Sequence, residues 1–189
     1  MDNISKRFEG NKTIMVIAFL LIAGMTNVLV GQSTRFSKSY SNKYLSIQYP
    51  SGYKITDEEV GEDTYDFCCE LDGNDISMTL ISVMTGYEEV EKWEELRVLS
   101  LKGGVNAMRE ELEKNVTYRN LKCTTMKEVV KGKVSGYAFT FTATVYDVNV
   151  QGECFMGISK GLLLTVVSQA ENASYMKELR EIINGIKLK

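Results

Sequence analysis

Tyr137-Ala138-Phe139-Thr140-Phe141-Thr142-Ala143-Thr144-Val145 alternates with a period of two, its odd positions apolar or aromatic and its even positions small or hydroxylated. That period belongs to a strand, because successive side chains leave a β-strand on opposite faces. One face of this strand is core and the other half polar. Upstream, residues 124–130 read as a strand that enters through a Lys131-Gly132-Lys133 turn; downstream, a turn around residues 147–149 leads into a strand over residues 150–159. Lys160-Gly161 then reverses the chain into Leu162-Leu163-Leu164-Thr165-Val166-Val167. So unbroken an apolar run suits a central strand covered on both faces. Strands joined by turns this short must pair antiparallel, since a parallel crossover needs a dozen residues or more. The second half is therefore an antiparallel meander.

Working outward, residues 174–184 place Met176, Leu179 and Ile182 or Ile183 on one helical face, with Gly185 just beyond as a stop. Before the meander, residues 88–115 change to a helical period: Val90, Trp93, Leu96 or Arg97, Leu101, Val105, Met108 and Leu112 recur at steps of three and four, apart from the longer step to Leu101. Glu88, Glu89, Glu91, Glu94 and Glu95 load its first turns, where the helix dipole favours negative charge, and read as a hydrated face. Trp93 is expected to pack this helix on the sheet. Gly103-Gly104 is expected either to break the helix or to mark a close pass of neighbouring backbone. Lys102-Gly103-Gly104 lacks the rest of a phosphate-binding loop. Further upstream, residues 65–71 alternate Tyr65, Phe67, Cys69 and Leu71 against Asp66, Cys68 and Glu70, and residues 72–75 turn the chain into a hairpin partner over residues 76–85. Residues 56–63 carry Asp57, Glu58, Glu59, Glu62 and Asp63 without the oxygen spacing or central glycine of a calcium loop, so a solvated loop is expected there. A first strand over residues 44–49 stops at Pro50, the only proline, and Ser51-Gly52 turns it into residues 53–55.

The opening YLSIQYPSGYKI, residues 44–55, resembles the strand, Tyr-Pro, turn and strand opening of the PsbP-like superfamily, including its small bacterial exported members. The closing SYMKELREIINGIKLK, residues 174–189, is similar to that superfamily's last helix and short final extended piece. The order of elements between them matches, so the resemblance spans nearly all of residues 40–189. Tyr53 follows Gly52 where tryptophan is common in the superfamily. The resemblance implies an α+β fold, an antiparallel sheet flanked by helices, and non-enzymatic binding or assembly work. It transfers no active-site residue.

Composition narrows function by exclusion. The 189 residues contain no histidine, which removes Ser-His-Asp and Cys-His catalysis and histidine-ligated metals. A net charge of -3 argues against gripping a nucleic-acid backbone. At the N-terminus, Lys6, Arg7 and Lys12 precede an uncharged stretch over residues 13–34 whose densest apolar part is residues 14–25. That order is a secretory signal's, and removal near Gln32 would leave a linker over residues 32–43 and one domain over residues 44–189. The alternative is an uncleaved anchor, the chain's only route to a membrane. Either way the domain lies outside the cytoplasm, in the periplasm or cell envelope.

Of Cys68, Cys69, Cys123 and Cys154, Cys69 shares a strand face with Phe67 and Leu71, and Cys154 with Met156 and Ile158. Cys69 and Cys154 therefore read as buried thiols, with a disulfide as the alternative. No Cys-x-x-Cys motif supports redox catalysis, and adjacent strand positions cannot share a four-cysteine zinc site. No catalytic residue, cofactor ligand or metal ligand is assigned. Tyr40, Tyr44, Tyr53 and Tyr87 form the candidate partner surface. The leading expectation is an exported, non-catalytic module that binds a protein. The alternatives are a carrier for an apolar small molecule held between sheet and long helix, and a small hydrolase.

Overall fold

The alternation at residues 137–145 becomes strand β8 (Val134–Val145) in the computed structural model, which describes residues 36–189. The chain runs β1 (Phe36–Ser41), β2 (Leu45–Pro50), β3 (Tyr53–Val60), β4 (Thr64–Leu71), β5 (Asn74–Met84), α1 (Glu88–Lys92), α2 (Glu94–Lys114), β6 (Arg119–Cys123), β7 (Lys127–Lys131), β8, β9 (Val148–Ser159), β10 (Leu162–Ala170), α3 (Ala173–Asn184) and β11 (Lys187–Leu188). An 8-stranded sheet is ordered β3-β4-β5-β10-β9-β8-β6, with β7 also on β8; a 3-stranded sheet is ordered β1-β2-β11. Every pairing among the described residues is antiparallel.

The large sheet separates two hydrophobic cores. On one face α3 and the small sheet cover Tyr65, Phe67, Cys69, Ile81, Phe155, Leu164 and Val166. On the other, α2 covers Phe139, Phe141, Cys154, Met156, Leu163 and Val167. β10 lies between β5 and β9 and is buried at every position, as expected for a central strand. Its alternate residues serve the two cores in turn, which is why the run has no polar phase.

Two glycines let these layers close. Gly152 of β9 faces the α2 side, where a Cβ would meet the Phe141 ring and lie 2.6 Å from the Ser168 carbonyl oxygen. Gly132, in the β7–β8 turn, has φ +60, and a Cβ there would lie 2.9 Å from the Ile186 carbonyl oxygen at the end of α3. It needs both the left-handed conformation and the missing side chain.

One buried charge cluster ties the α3 face together. The Glu153 carboxylate of β9 pairs with Lys131 of β7, and accepts from Arg180 Nε of α3 at 3.0 Å. α3 itself starts at Asn172, whose side chain accepts from the Tyr175 backbone N–H at 3.0 Å, a side-chain N-cap.

Four sequence expectations are corrected. Residues 36–41, read as linker, form β1 and pair with β2, because a free β2 edge accepts a short strand despite its polar composition. Residues 56–60, read as loop, continue β3 as an edge strand, and the loop is only 61–63; Glu58 and Glu59 are exposed there, and a bulge between Thr56 and Glu59 absorbs the irregular pattern. The long helix breaks at Trp93, where the backbone is extended (φ -107, ψ 108), while Gly103-Gly104 lie inside an unbroken α2. The strand read over residues 124–130 is β7 and starts three residues later, at Lys127, and a strand the sequence did not announce, β6, pairs with the farther length of β8, with residues 124–126 between the two.

Candidate functional site

The polar and reactive side chains are largely committed to the fold. Cys69 faces the α3 core and Cys154 the α2 core, with β5 and β10 between their strands. Three strand spacings put them about 14 Å apart, on opposite faces, too far for a disulfide. All four cysteines are free thiols. Burial, helped by the Glu70 charge, pushes the Cys69 thiol up to about 12, and burial raises Cys154 well above its usual value. Both are held as neutral thiols. Cys123 is half-buried, and burial raises it too, although the Arg109 guanidinium pulls the other way.

The candidate partner tyrosines separate into structural roles. Tyr53 is fully buried and its hydroxyl donates to Glu178 Oε2 at 3.0 Å; burial, then the Glu178 charge, raises its pKa. Tyr87 is buried at the entry to α1, where its backbone N–H donates to the Gly161 carbonyl at 3.0 Å. Neither can form a partner surface. Long-range packing covers both. Tyr40 and Tyr44 are half-buried in an aromatic cluster that seats the small sheet on β4: the Tyr40 ring lies 5.2 Å from Phe67, Tyr44 lies 6.3 Å from Tyr65, and the Tyr40 and Tyr65 hydroxyls hydrogen-bond. This is an inter-sheet seam.

The large apolar side chains left exposed are Val60, Trp93, Leu99, Val116, Val130 and Tyr146, of which Trp93 and Leu99 lie within two turns at the start of α2. Trp93, expected as packing, is 66% exposed, and Leu99 is 71% exposed. The extended backbone at Trp93 swings its indole off the sheet-facing stripe of Leu101, Val105, Met108 and Leu112. Leu96, three residues from each, is half-buried against the α2 core and joins Trp93 to Leu99 across the first turns. Exposed Gly103 continues the outer row four residues after Leu99, and Gly104 shares the buried face. The sequence carried a weak sign of this: residues 93, 96, 99 and 103 repeat at steps of three and four in parallel with the buried row.

Charge surrounds this ridge. Glu88, Glu89, Glu94 and Glu95 are exposed; Lys92 pairs with Glu89. Glu91 is used internally, accepting from the Lys160 backbone N–H at 2.9 Å and the Gly161 N–H at 2.5 Å, which fixes α1 to the β9–β10 turn. Between sheet and α2, where the sequence allowed an apolar ligand, stand the side chains of Leu101, Val105, Met108 and Leu112 against Phe139, Phe141 and Met156. Among the described residues no helix is long and apolar enough to cross a membrane; the expected signal or anchor lies outside them. Also among the described residues, no group of three or more His, Cys, Asp or Glu side chains could hold a metal ion.

No protein-family model matches the chain, and no curated protein sequence matches it. Solved structures do. A crystal structure from Bacteroides thetaiotaomicron VPI-5482 is 15% identical with TM-score 0.51, over 82% of this chain and 49% of that one; this chain thus spans about half of that protein's length. The solution structure of cyanobacterial PsbP (CyanoP) from Synechocystis sp. PCC 6803 is 10% identical with TM-score 0.56, over 80% of this chain and 92% of that one. At these identities the likeness concerns architecture. An antiparallel sheet flanked by helices, superposable on CyanoP along nearly its whole length, gives this chain a PsbP-like fold.

Proposed function

We propose that the chain is an exported, non-catalytic binding or assembly module, and that the outer face of α2 is where it meets a protein partner. The observation that carries this reading is the pair of large apolar side chains, Trp93 and Leu99, left exposed within two turns of one helix while the other face of that helix packs normally. Exposed tryptophan in a polar frame is a typical anchor of a protein interface. Export rests on the basic, apolar and small-residue order of the first 31 residues.

A photo-crosslinking amino acid placed at position 99 in the cell that makes the protein tests the docking face. A discrete adduct from position 99, and none from exposed Lys127 on β7, is expected. Absence of an adduct at 99, or equal labelling from 127, overturns it. N-terminal sequencing of the purified chain tests export separately: a start near residue 32, or a full chain in the membrane fraction, agrees, and a full chain in the cytosol refutes it.

A further inference from the structure

We infer that the partner offers the α2 face a basic amphipathic helix, packed closely over Gly103. This rests on the docking reading above and adds the chemistry of the occupant. The first observation is Gly103 itself. It lies in the middle of an unbroken helix, is exposed, and has nothing within 4 Å of where a Cβ would stand. No positive φ requires glycine there. Glycine in a helix interior costs stability relative to alanine, and nothing among the described residues offsets that cost. A second backbone approaching from outside would.

The second observation is shape. Leu99, Gly103 and Asn106 follow one another at i, i+4 and i+7 on the outer face, all exposed. A notch flanked by Leu99 accepts a ridge of side chains from a crossing helix, as ridges fill grooves between packed helices. The third is charge. Among the described residues Glu94 and Glu95 have no ion-pair partner, and they stand on the first turn of α2 between Trp93 and Leu99, while the Lys102 amine beside Gly103 lies over the Tyr137 ring. A second copy of this chain packed in parallel would bring these carboxylates against their own like; a helix with lysine or arginine beside its apolar stripe complements them.

The test uses the purified full chain and two synthetic peptides of roughly 18 residues, about five helical turns, one of leucine and lysine in amphipathic order and one of leucine and glutamate. Trp93 is the only tryptophan, so its emission reports the site directly. The Leu/Lys peptide is expected to shift Trp93 emission to the blue, saturably, and about tenfold more tightly than the Leu/Glu peptide. Gly103→Leu, which keeps a good helix former, and Leu99→Asn are each expected to weaken binding about tenfold, with circular dichroism unchanged. Equal binding of both peptides, or Gly103→Leu binding as the wild type does, overturns the inference, because charge adsorption alone ignores that position. So does self-association abolished by Leu99→Asn, which would make a second copy the occupant. Adducts from position 99 without peptide binding refute the basic helix and leave the docking face standing; absence of adducts refutes the docking face itself.

Discussion

Glu153 is the perturbation from which the architecture can be tested most directly. Its carboxylate, 7% exposed, neutralises Lys131, which is 12% exposed, and accepts from Arg180, which is 44% exposed. Glu153→Met leaves two cations without their partner. Arg180 reaches water and regains solvation, so its loss contributes little. Lys131 stays mostly buried as an uncompensated charge. Removing one member of a buried pair costs about 3–5 kcal/mol, and with one cation able to resolvate the lower end, about 3 kcal/mol, applies. For a domain of this size that lowers Tm by about 6–12 °C. Urea unfolding followed by far-ultraviolet circular dichroism reads the loss as a lower midpoint at unchanged slope. Lys131→Met added to Glu153→Met removes the stranded charge, and stability is expected to return to within about 1 kcal/mol of the wild type, because apolar residues of similar volume replace a buried pair at little cost. The reasoning fails if Glu153→Met costs less than about 1 kcal/mol, or if the double variant is no more stable than the single one.

Two further outcomes follow from groups the fold has buried. Asp66 of β4 has one carboxylate oxygen, Oδ1, without a hydrogen-bond partner; burial, reinforced by the Glu59 charge and opposed by a Ser82 hydrogen bond, raises its pKa. The folded state therefore prefers the protonated form, its contribution is full below the ordinary carboxyl value of 3.8 and is lost as pH rises through the raised one. Asp66→Asn should accordingly raise Tm at pH 7 by an amount that shrinks towards pH 4, and a lower Tm at neutral pH would refute this. For the thiols, a maleimide reagent at pH 8 should modify half-buried Cys123 in the native chain and reach Cys68, Cys69 and Cys154 only after denaturation, counted by mass spectrometry. Rapid native labelling of Cys69 or Cys154 would contradict their placement.

Much of the fold was legible before any coordinates. The alternation at residues 137–145 and the doubly covered run at 162–167 reappear as β8 and β10, and residues 174–184 as nearly the whole of α3. These signals are strong because burial imposes a regular period on many consecutive residues. β1 and the far part of β3 were not legible: FSKSYS and the acidic residues after Ile55 have loop-like composition, and strand structure comes to them from hydrogen bonds to β2 and β4. Propensity is weak at a sheet edge, where one side faces water. The break at Trp93 was missed because Gly103-Gly104 offered the more obvious local breaker.

The sequence alone determined the kinds of element, the antiparallel order of the second half, the acidic balance and the absence of histidine chemistry. Each is a short-range or compositional property, available to any reader of the chain. The division of the strands between two sheets, with β2 and β3 in different ones, came only with the structure. Which aromatic residues face water was decided by tertiary structure. Tyr53 and Tyr87 are covered by partners 125 and 74 positions away in the chain, Glu178 and Gly161, while Trp93 turns outward where two helical pieces meet. Cys69 and Cys154 both looked core-facing from alternation, and both are, but in different cores. Local periodicity tells that a side chain leaves the sheet; only the pairing of distant strands and the seating of the helices decide on which side, and against what.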